Sequence, residues 1–163
     1  LYTLLMNSNH FSSLNGSGLR IAIVASRFNQ ELCDAMTEDA LAALLQAGLS
    51  KEDITTIRVP GSFELPVAAN RLAVSGAYDA IVCLGVLIKG ETKHDQYIAS
   101  AVAQGLMDIA IKASIPVAFG VLTTETKAQA EARALGSRKK GWEAAMSAIE
   151  TILTLKSLSE ATA

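Results

Sequence analysis

Short apolar runs alternate with longer amphipathic segments along most of the chain. The runs are rich in Ile and Val and too short for helices, which predicts buried strands, whereas the segments between them have apolar residues at helical spacing. The predicted strands span residues 19–26, 54–59, 80–87 and 117–123, and the predicted helices span residues 30–47, 65–75, 93–114, 126–136 and 140–158. Such alternation requires parallel strands with right-handed crossovers. We therefore predict an α/β fold: a three-layer helix–sheet–helix sandwich with a four-stranded, mainly parallel sheet.

The first 18 residues do not share this periodicity. They are rich in Asn, Ser and Gly, which predicts a flexible N-terminal arm that could add a strand to a neighbouring subunit. His10 lies in this arm, and we expect it at the surface. We assign residues 19–158 to a single α/β domain and residues 159–163 to a C-terminal tail.

Composition limits the class of protein. The chain has 163 residues, of which 50% are hydrophobic and 18% charged, as expected for one globular domain. Its net charge of −2 gives no overall attraction for nucleic acid or acidic membranes, and no apolar run approaches the roughly 20 residues of a membrane span. We predict neither a nucleic-acid nor a membrane partner. The mean hydropathy of +0.32 indicates surface that is buried by self-association.

Only two cysteines, Cys33 and Cys83, occur in the chain, and they lack the spacing of a disulfide framework. We expect both, like Trp142, to be packing residues. Two cysteines without a disulfide framework fit a reducing compartment. This favours the cytoplasm, or a plastid if a targeting segment precedes this sequence. No pattern of His, Cys, Asp or Glu has metal-ligand spacing, so no metal site is predicted. The GxSxG turn that carries a nucleophilic serine is also absent.

Unusual polar clusters follow the carboxyl ends of all four predicted strands. They are Arg27–Asn29, Pro60–Glu64, Ile88–His94 and Thr123–Glu125. In folds with parallel strands, ligands bind at this edge of the sheet. The coincidence predicts a ligand site there.

The cluster after the third strand offers two kinds of chemistry. Gly90–Glu91–Thr92 precedes a predicted helix, whose free amides and dipole attract phosphate, although the spacing alone favours a simple helix cap. His94 lies in the first helical turn, where the positive helix end favours a neutral imidazole that can act as a general base. A single His at a helix start is more often solvated or structural. Nucleotide binding is disfavoured because no Walker or GxGxxG motif occurs.

Two other clusters also allow two interpretations each. The Phe28 ring could stack on a flat heterocycle or pack in the core. The segment Pro60–Pro66 presents backbone amides and the Glu64 carboxylate on a loop stiffened by two prolines, which suits preorganised recognition. It is equally compatible with a helix entry that has Glu64 in its first turn.

Four ordered motifs over about residues 19–149 together resemble the lumazine synthase family. They are Arg27–Asn29, Pro60–Pro66, Leu84–His94 and Phe119–Glu125. The resemblance implies a flavodoxin-like sheet and a transferase of riboflavin biosynthesis. That enzyme condenses 5-amino-6-(D-ribitylamino)uracil with 3,4-dihydroxy-2-butanone 4-phosphate to 6,7-dimethyl-8-ribityllumazine, the penultimate step. Phosphate and water are lost, and neither a metal nor an organic cofactor is required.

The resemblance also implies the site residues. It gives Phe28 a stacking role on the pyrimidine, Glu91–Thr92 a phosphate-seating role, and His94 the proton transfers. Arg133 resembles the family's arginine that reaches the phosphate site from a neighbouring subunit. A guanidinium suits such a bidentate phosphate contact, although most arginines on a helix surface are simply solvated. The implied catalytic residue is His94, and the implied substrate-binding residues are Phe28, Asn29, Ser62, Phe63, Glu64, Val86, Leu87, Ile88, Glu91, Thr92, Phe119, Arg133 and Lys140.

The sequence departs from the family pattern in two places. After the histidine the family usually has an aromatic, an acidic and another aromatic residue, whereas here Asp95–Gln96–Tyr97 follow. A shift of one helical position turns the carboxylate by about 100° and changes its relation to His94. The link from Arg133 to Gly141 is also one residue shorter than the common form, which changes the position of Lys140.

The resemblance implies a homo-oligomer with its sites between subunits: a pentamer or a 60-subunit shell, with riboflavin synthase as an associated partner. Two other hypotheses use the same fold. One is a non-enzymatic protein that binds a flavin or lumazine, and the other is a shell-forming protein without ligand. A response-regulator module is disfavoured, because the strand ends lack the clustered carboxylates that bind magnesium.

Overall fold

The computed structural model describes residue 11 and residues 13–161. The predicted arm lies mostly outside these residues, as does His10. Near the end of that segment, Gly16 N donates a hydrogen bond to Ala47 O at 2.7 Å. Phe11 is buried, with its ring centroid 5.4 Å from that of Trp142.

In the part of the chain that the structure describes, four parallel strands form one sheet. They are β1 (Ile21–Ser26), β2 (Ile54–Val59), β3 (Ala80–Ile88) and β4 (Val117–Thr124), in the order β2-β1-β3-β4. The predicted α/β sandwich with a four-stranded sheet is confirmed. The central strands β1 and β3 are buried almost throughout, because helices cover both faces of the sheet.

Within the described residues, five helices cover the sheet. They are α1 (Gln30–Gln46), α2 (Leu65–Ala73), α3 (His94–Ala113), α4 (Lys127–Ala134) and α5 (Lys140–Ala161). Helices α1, α4 and α5 pack on one face, and α2 and α3 pack on the other. Short 3₁₀ turns at Lys51–Asp53 and Ser62–Glu64 precede β2 and α2. None of the helices described is long and apolar enough to cross a lipid bilayer.

Helix boundaries follow local chemistry. Thr126 is the N-cap of α4, because its Oγ1 accepts a hydrogen bond from Gln129 N at 3.2 Å. Gln129 Oε1 accepts from the Glu125 amide instead of the Thr126 amide. Helix α2 ends two residues earlier than predicted, and α5 runs three residues further, to Ala161.

Helices α1 and α5 are in close contact at Gly141. A methyl group on Gly141 would overlap the backbone carbonyl of Met36 in α1. Because the obstacle is backbone and not a flexible side chain, the two helices would have to separate to admit it.

We therefore expect Gly141→Ala to lower the free energy of unfolding by about 1–3 kcal/mol, as overpacking does. Urea denaturation of the purified protein measures this change. Gly90→Ala is the matched control, because no heavy atom lies within 4 Å of its added Cβ. Equal stability of the two variants would contradict the close contact between α1 and α5.

Candidate active site

A cavity of about 890 Å³ opens at the carboxyl ends of β1, β2 and β3, beside the first turns of α3. Three of the four predicted polar clusters contribute to it, and the cluster after β4 does not. Eight of the predicted site residues line it: Phe28, Phe63, Glu64, Val86, Leu87, Ile88, Thr92 and His94. The parallel sheet therefore brings together residues from three separate segments of the chain.

Hydrogen bonds beyond the strand ends hold Phe28 at the cavity. Arg27 N donates to Val59 O at 2.8 Å, and Phe28 N donates to Pro60 O at 3.1 Å, so the pairing of β1 with β2 continues into both loops. The Phe28 side chain is 68% exposed. Its ring is thus a surface of the cavity and not part of the core, which excludes the packing interpretation.

Asn29 ties the same loop to the centre of the sheet. Its backbone is left-handed, with φ of 55°, a conformation that Asn tolerates better than most residues. The side-chain amide donates to Val86 O at 2.8 Å and makes no helix-cap hydrogen bond. Asn29 does not itself line the cavity; it fixes the loop that carries Phe28 against β3.

The turn after β2 forms a second wall. Gly61 N donates to Glu64 Oε2 at 2.8 Å, which closes the turn and leaves Phe63 60% exposed. Ser62 is buried against Gly85 of β3, where an added Cβ would overlap the Ser62 hydroxyl. Glu64 and Phe63 line the cavity, whereas Ser62 packs behind it.

The third wall is the start of α3. Thr92 Oγ1 accepts a hydrogen bond from His94 N at 3.4 Å, so the threonine holds the first helical turn, and both residues line the cavity. His94 is exposed and can exchange protons with a ligand or with solvent. Glu91 is also exposed but does not line the cavity.

An ion pair joins the loops that follow β3 and β4. Lys89 Nζ lies 2.7 Å from Glu125 Oε2, and Lys89 N donates to Thr124 O at 2.8 Å. The hydrogen bond that Lys89 Nζ donates to Glu125 raises the pKa of Lys89, with a further contribution from the negative charges of Glu125 and Asp95. Lys89 is therefore a cation near the cavity, and Glu125 holds it in place.

Sequence reasoning missed four residues of the α3 wall as site residues. They are Asp95, Tyr97, Ile98 and Ala101. Residues three and four positions apart share one face of a helix, so a projection of the helix from His94 would have found the last three. Asp95 follows His94 directly and lies beside it in the same turn.

Three predicted residues lie away from this cavity. Arg133 is on α4, on the opposite face of the sheet from α3, and its Nη1 donates to Gln129 O of its own helix at 2.9 Å. Lys140 pairs with Glu143 at 3.2 Å at the start of α5. Phe119 lies on the edge strand β4 and is 43% exposed. A single chain does not bring these three to the cavity.

Both cysteines are packing residues, as predicted. Cys33 and Cys83 are buried and unpaired. Burial raises the pKa of the Cys33 thiol to about 11 and that of the Cys83 thiol to about 12. Neither is a thiolate near neutral pH, so neither is an activated nucleophile.

Comparison with known proteins shows the family of this chain. Residues 18–156 match the model of a family described as 6,7-dimethyl-8-ribityllumazine synthase. A protein of that name from Aquifex aeolicus is 49% identical, over 89% of this chain and 95% of its own length. A protein of the same name from Syntrophus aciditrophicus is 43% identical, over 89% of this chain and 95% of its own length. Another from Kineococcus radiotolerans is 47% identical, over 88% of this chain and 89% of its own length. Since the matches span the strands, the helices and the cavity, the chain belongs to the 6,7-dimethyl-8-ribityllumazine synthase family.

Proposed function

We propose that this chain condenses 5-amino-6-(D-ribitylamino)uracil with 3,4-dihydroxy-2-butanone 4-phosphate, giving 6,7-dimethyl-8-ribityllumazine, phosphate and water. The observation that carries the proposal is the convergence of three family motifs on one cavity. Phe28, the turn at residues 60–64 and the start of α3 come from distant parts of the chain and line the same space. The reaction is the penultimate step of riboflavin biosynthesis.

The pyrimidine substrate occupies the part of the cavity beside Phe28. The exposed ring can stack on the flat heterocycle, and Val86, Leu87 and Ile88 supply an apolar floor. The turn that carries Phe63 and Glu64 contacts the ring edge and the ribityl chain. Asn29 and Ser62 support these walls, since Asn29 already donates to Val86 O and Ser62 is packed on Gly85.

The phosphate of the second substrate lies at the start of α3. There the positive end of the helix dipole and the Thr92 hydroxyl favour an anion, with Glu91 in the same loop. Condensation requires the amine to attack the ketone, water to leave, phosphate to be eliminated and the ring to close. Each step moves a proton, and the exposed imidazole of His94 lies beside that position, where it can act as a general acid or base. Fixing both substrates in one cavity supplies further acceleration.

A neighbouring subunit completes the site. Arg133 and Phe119 do not line the cavity of their own chain, and Lys140 lies on the same distant face as Arg133. Apolar side chains are exposed on and beside the α2–α3 layer, as expected of a surface that a second copy covers. They are Phe63, Val67, Val74, Tyr97, Met107 and Ile111.

The assembly that fits is a pentameric ring in which each cavity receives Arg133 from the adjacent chain, since head-to-tail contacts of this kind close into rings. An icosahedral shell that associates with riboflavin synthase is the larger form of the same proposal. A reducing compartment such as the cytoplasm suits its two unpaired cysteines.

The activity is tested by mixing the purified protein with both substrates and following lumazine fluorescence, with the molar mass of the same sample measured by light scattering. We expect product from a particle of five or more subunits. No product from an assembled particle would overturn the enzymatic proposal in favour of a binding or shell protein. Product from a verified monomer would overturn the shared site.

We expect His94→Ala and Arg133→Ala to affect different kinetic constants. Loss of His94 removes proton transfer and lowers kcat by about 100- to 10,000-fold. Loss of Arg133 removes a charge-assisted contact and raises the KM for the butanone phosphate by about 10- to 100-fold, with the KM for the pyrimidine unchanged. Steady-state kinetics with each substrate varied in turn measures both. An unchanged kcat in His94→Ala would remove this residue from the mechanism.

Mixed assemblies test whether two chains share a site. His94→Ala and Arg133→Ala chains are refolded together in equal amounts, so about a quarter of the sites combine an intact His94 with an intact Arg133 from the neighbour. We expect activity well above that of either variant alone. The same two preparations, assembled separately and then mixed, are the control. Equal activity in both mixtures would place both residues in one chain's site.

A further inference from the structure

Asp95 brings a carboxylate into the wall of the cavity that the start of α3 forms. It lies in the first turn of α3, is only 9% exposed, and lines the same space as Leu87, Ile98 and Ala101. Most aspartates are at the protein surface, and those that are buried have partners. The position of Asp95 therefore requires a physical explanation.

Its hydrogen bonding is incomplete. Asp95 Oδ1 is buried and has no hydrogen-bond partner among the described residues. An unpartnered carboxylate oxygen costs free energy, which the positive end of α3 offsets only in part. Lys89 is close enough for the charge of Asp95 to raise its pKa, but the Lys89 ammonium group is bound to Glu125. Oδ1 of Asp95 is thus a buried acceptor without a donor among the described residues.

The charges around the cavity decide which ligand group can supply that donor. Glu64, the other carboxylate of the lining, has Oε2 engaged by Gly61 N. A phosphate oxygen beside Asp95 would be repelled by a like charge, whereas an N–H or O–H group would be attracted. The pyrimidine substrate carries ring N–H and amine groups on a flat ring that suits the exposed face of Phe28.

We propose that Asp95 is a further substrate-binding residue, whose carboxylate accepts a hydrogen bond from an N–H donor of the aminouracil. The terminal torsion of aspartate is broad and nearly two-fold, so a small rotation turns either oxygen towards the ligand. Asp95 then selects and orients the heterocycle, while the start of α3 around Thr92 receives the phosphate. The inference rests on the proposed function, because it assigns Asp95 to one of the two substrates.

The test is a calorimetric titration of the assembled protein with 5-amino-6-(D-ribitylamino)uracil alone, and separately with inorganic phosphate. We expect Asp95→Ala to weaken pyrimidine binding by about 10- to 100-fold, as the loss of a hydrogen bond to a charged group does. Asp95→Asn keeps the shape and a neutral acceptor and should give an intermediate loss. Phosphate binding should be unchanged or tighter, because a negative charge has been removed.

Glu52→Gln is the matched control, since it makes the same type of charge change at an exposed carboxylate before β2. Pyrimidine binding that is equal in wild type, Asp95→Asn and Asp95→Ala would overturn the inference. So would dissociation of the assembly with pyrimidine affinity retained, because Asp95 would then serve a subunit contact. If Asp95→Ala does not assemble, the isosteric Asp95→Asn decides.

The outcome is distinguishable from failure of the proposed function. A wild-type protein that binds the pyrimidine but makes no lumazine would overturn the function, while the Asp95 variants would still report the contact. A wild-type protein that makes lumazine, with Asp95 variants of unchanged pyrimidine affinity, would overturn the inference alone.

Discussion

Burial of β1 and β3 on both faces is the constraint on which the rest of the structure depends. Helices cover the sheet on both sides, so the side chains of these strands must be apolar in both directions, and almost none of their positions is exposed. Polar chemistry is thereby confined to the segments that follow the strands. Because the strands are parallel, the segments after β1, β2 and β3 end at one edge and form one cavity.

Hydrogen bonds and ion pairs give that edge its shape. Asn29 ties the loop after β1 to β3, Glu64 closes the turn after β2, and Lys89 with Glu125 connects the loops after β3 and β4. The side chains that make these contacts are polar, and polar side chains at a cavity can also bind a ligand. In the structure their hydrogen bonds fix the cavity walls in position. A preformed cavity loses less conformational entropy on binding a ligand than a flexible one does.

The strands and helices could be predicted because their signals are local: a continuous apolar run or a helical period identifies its own segment. The strand-end clusters could be predicted for the same reason, and three of the four meet. Contacts over long distances could not be predicted in this way. Nothing near Asn29 in sequence indicates that its amide binds Val86 O, 57 positions away. The sheet face on which α4 places Arg133 also depends on the whole topology, and the site roles that the resemblance implies for these residues stay predictions.

The exposed apolar side chains of α2 and α3 affect the newly synthesised chain. A single chain exposes Val67, Met107 and Ile111 to water. In the proposed assembly a neighbouring chain covers these side chains, and this association competes with non-specific aggregation through the same side chains. Under that proposal, the yield of native particles depends on which of the two reactions is faster at the concentration of newly made chains, and the free chain is a short-lived species.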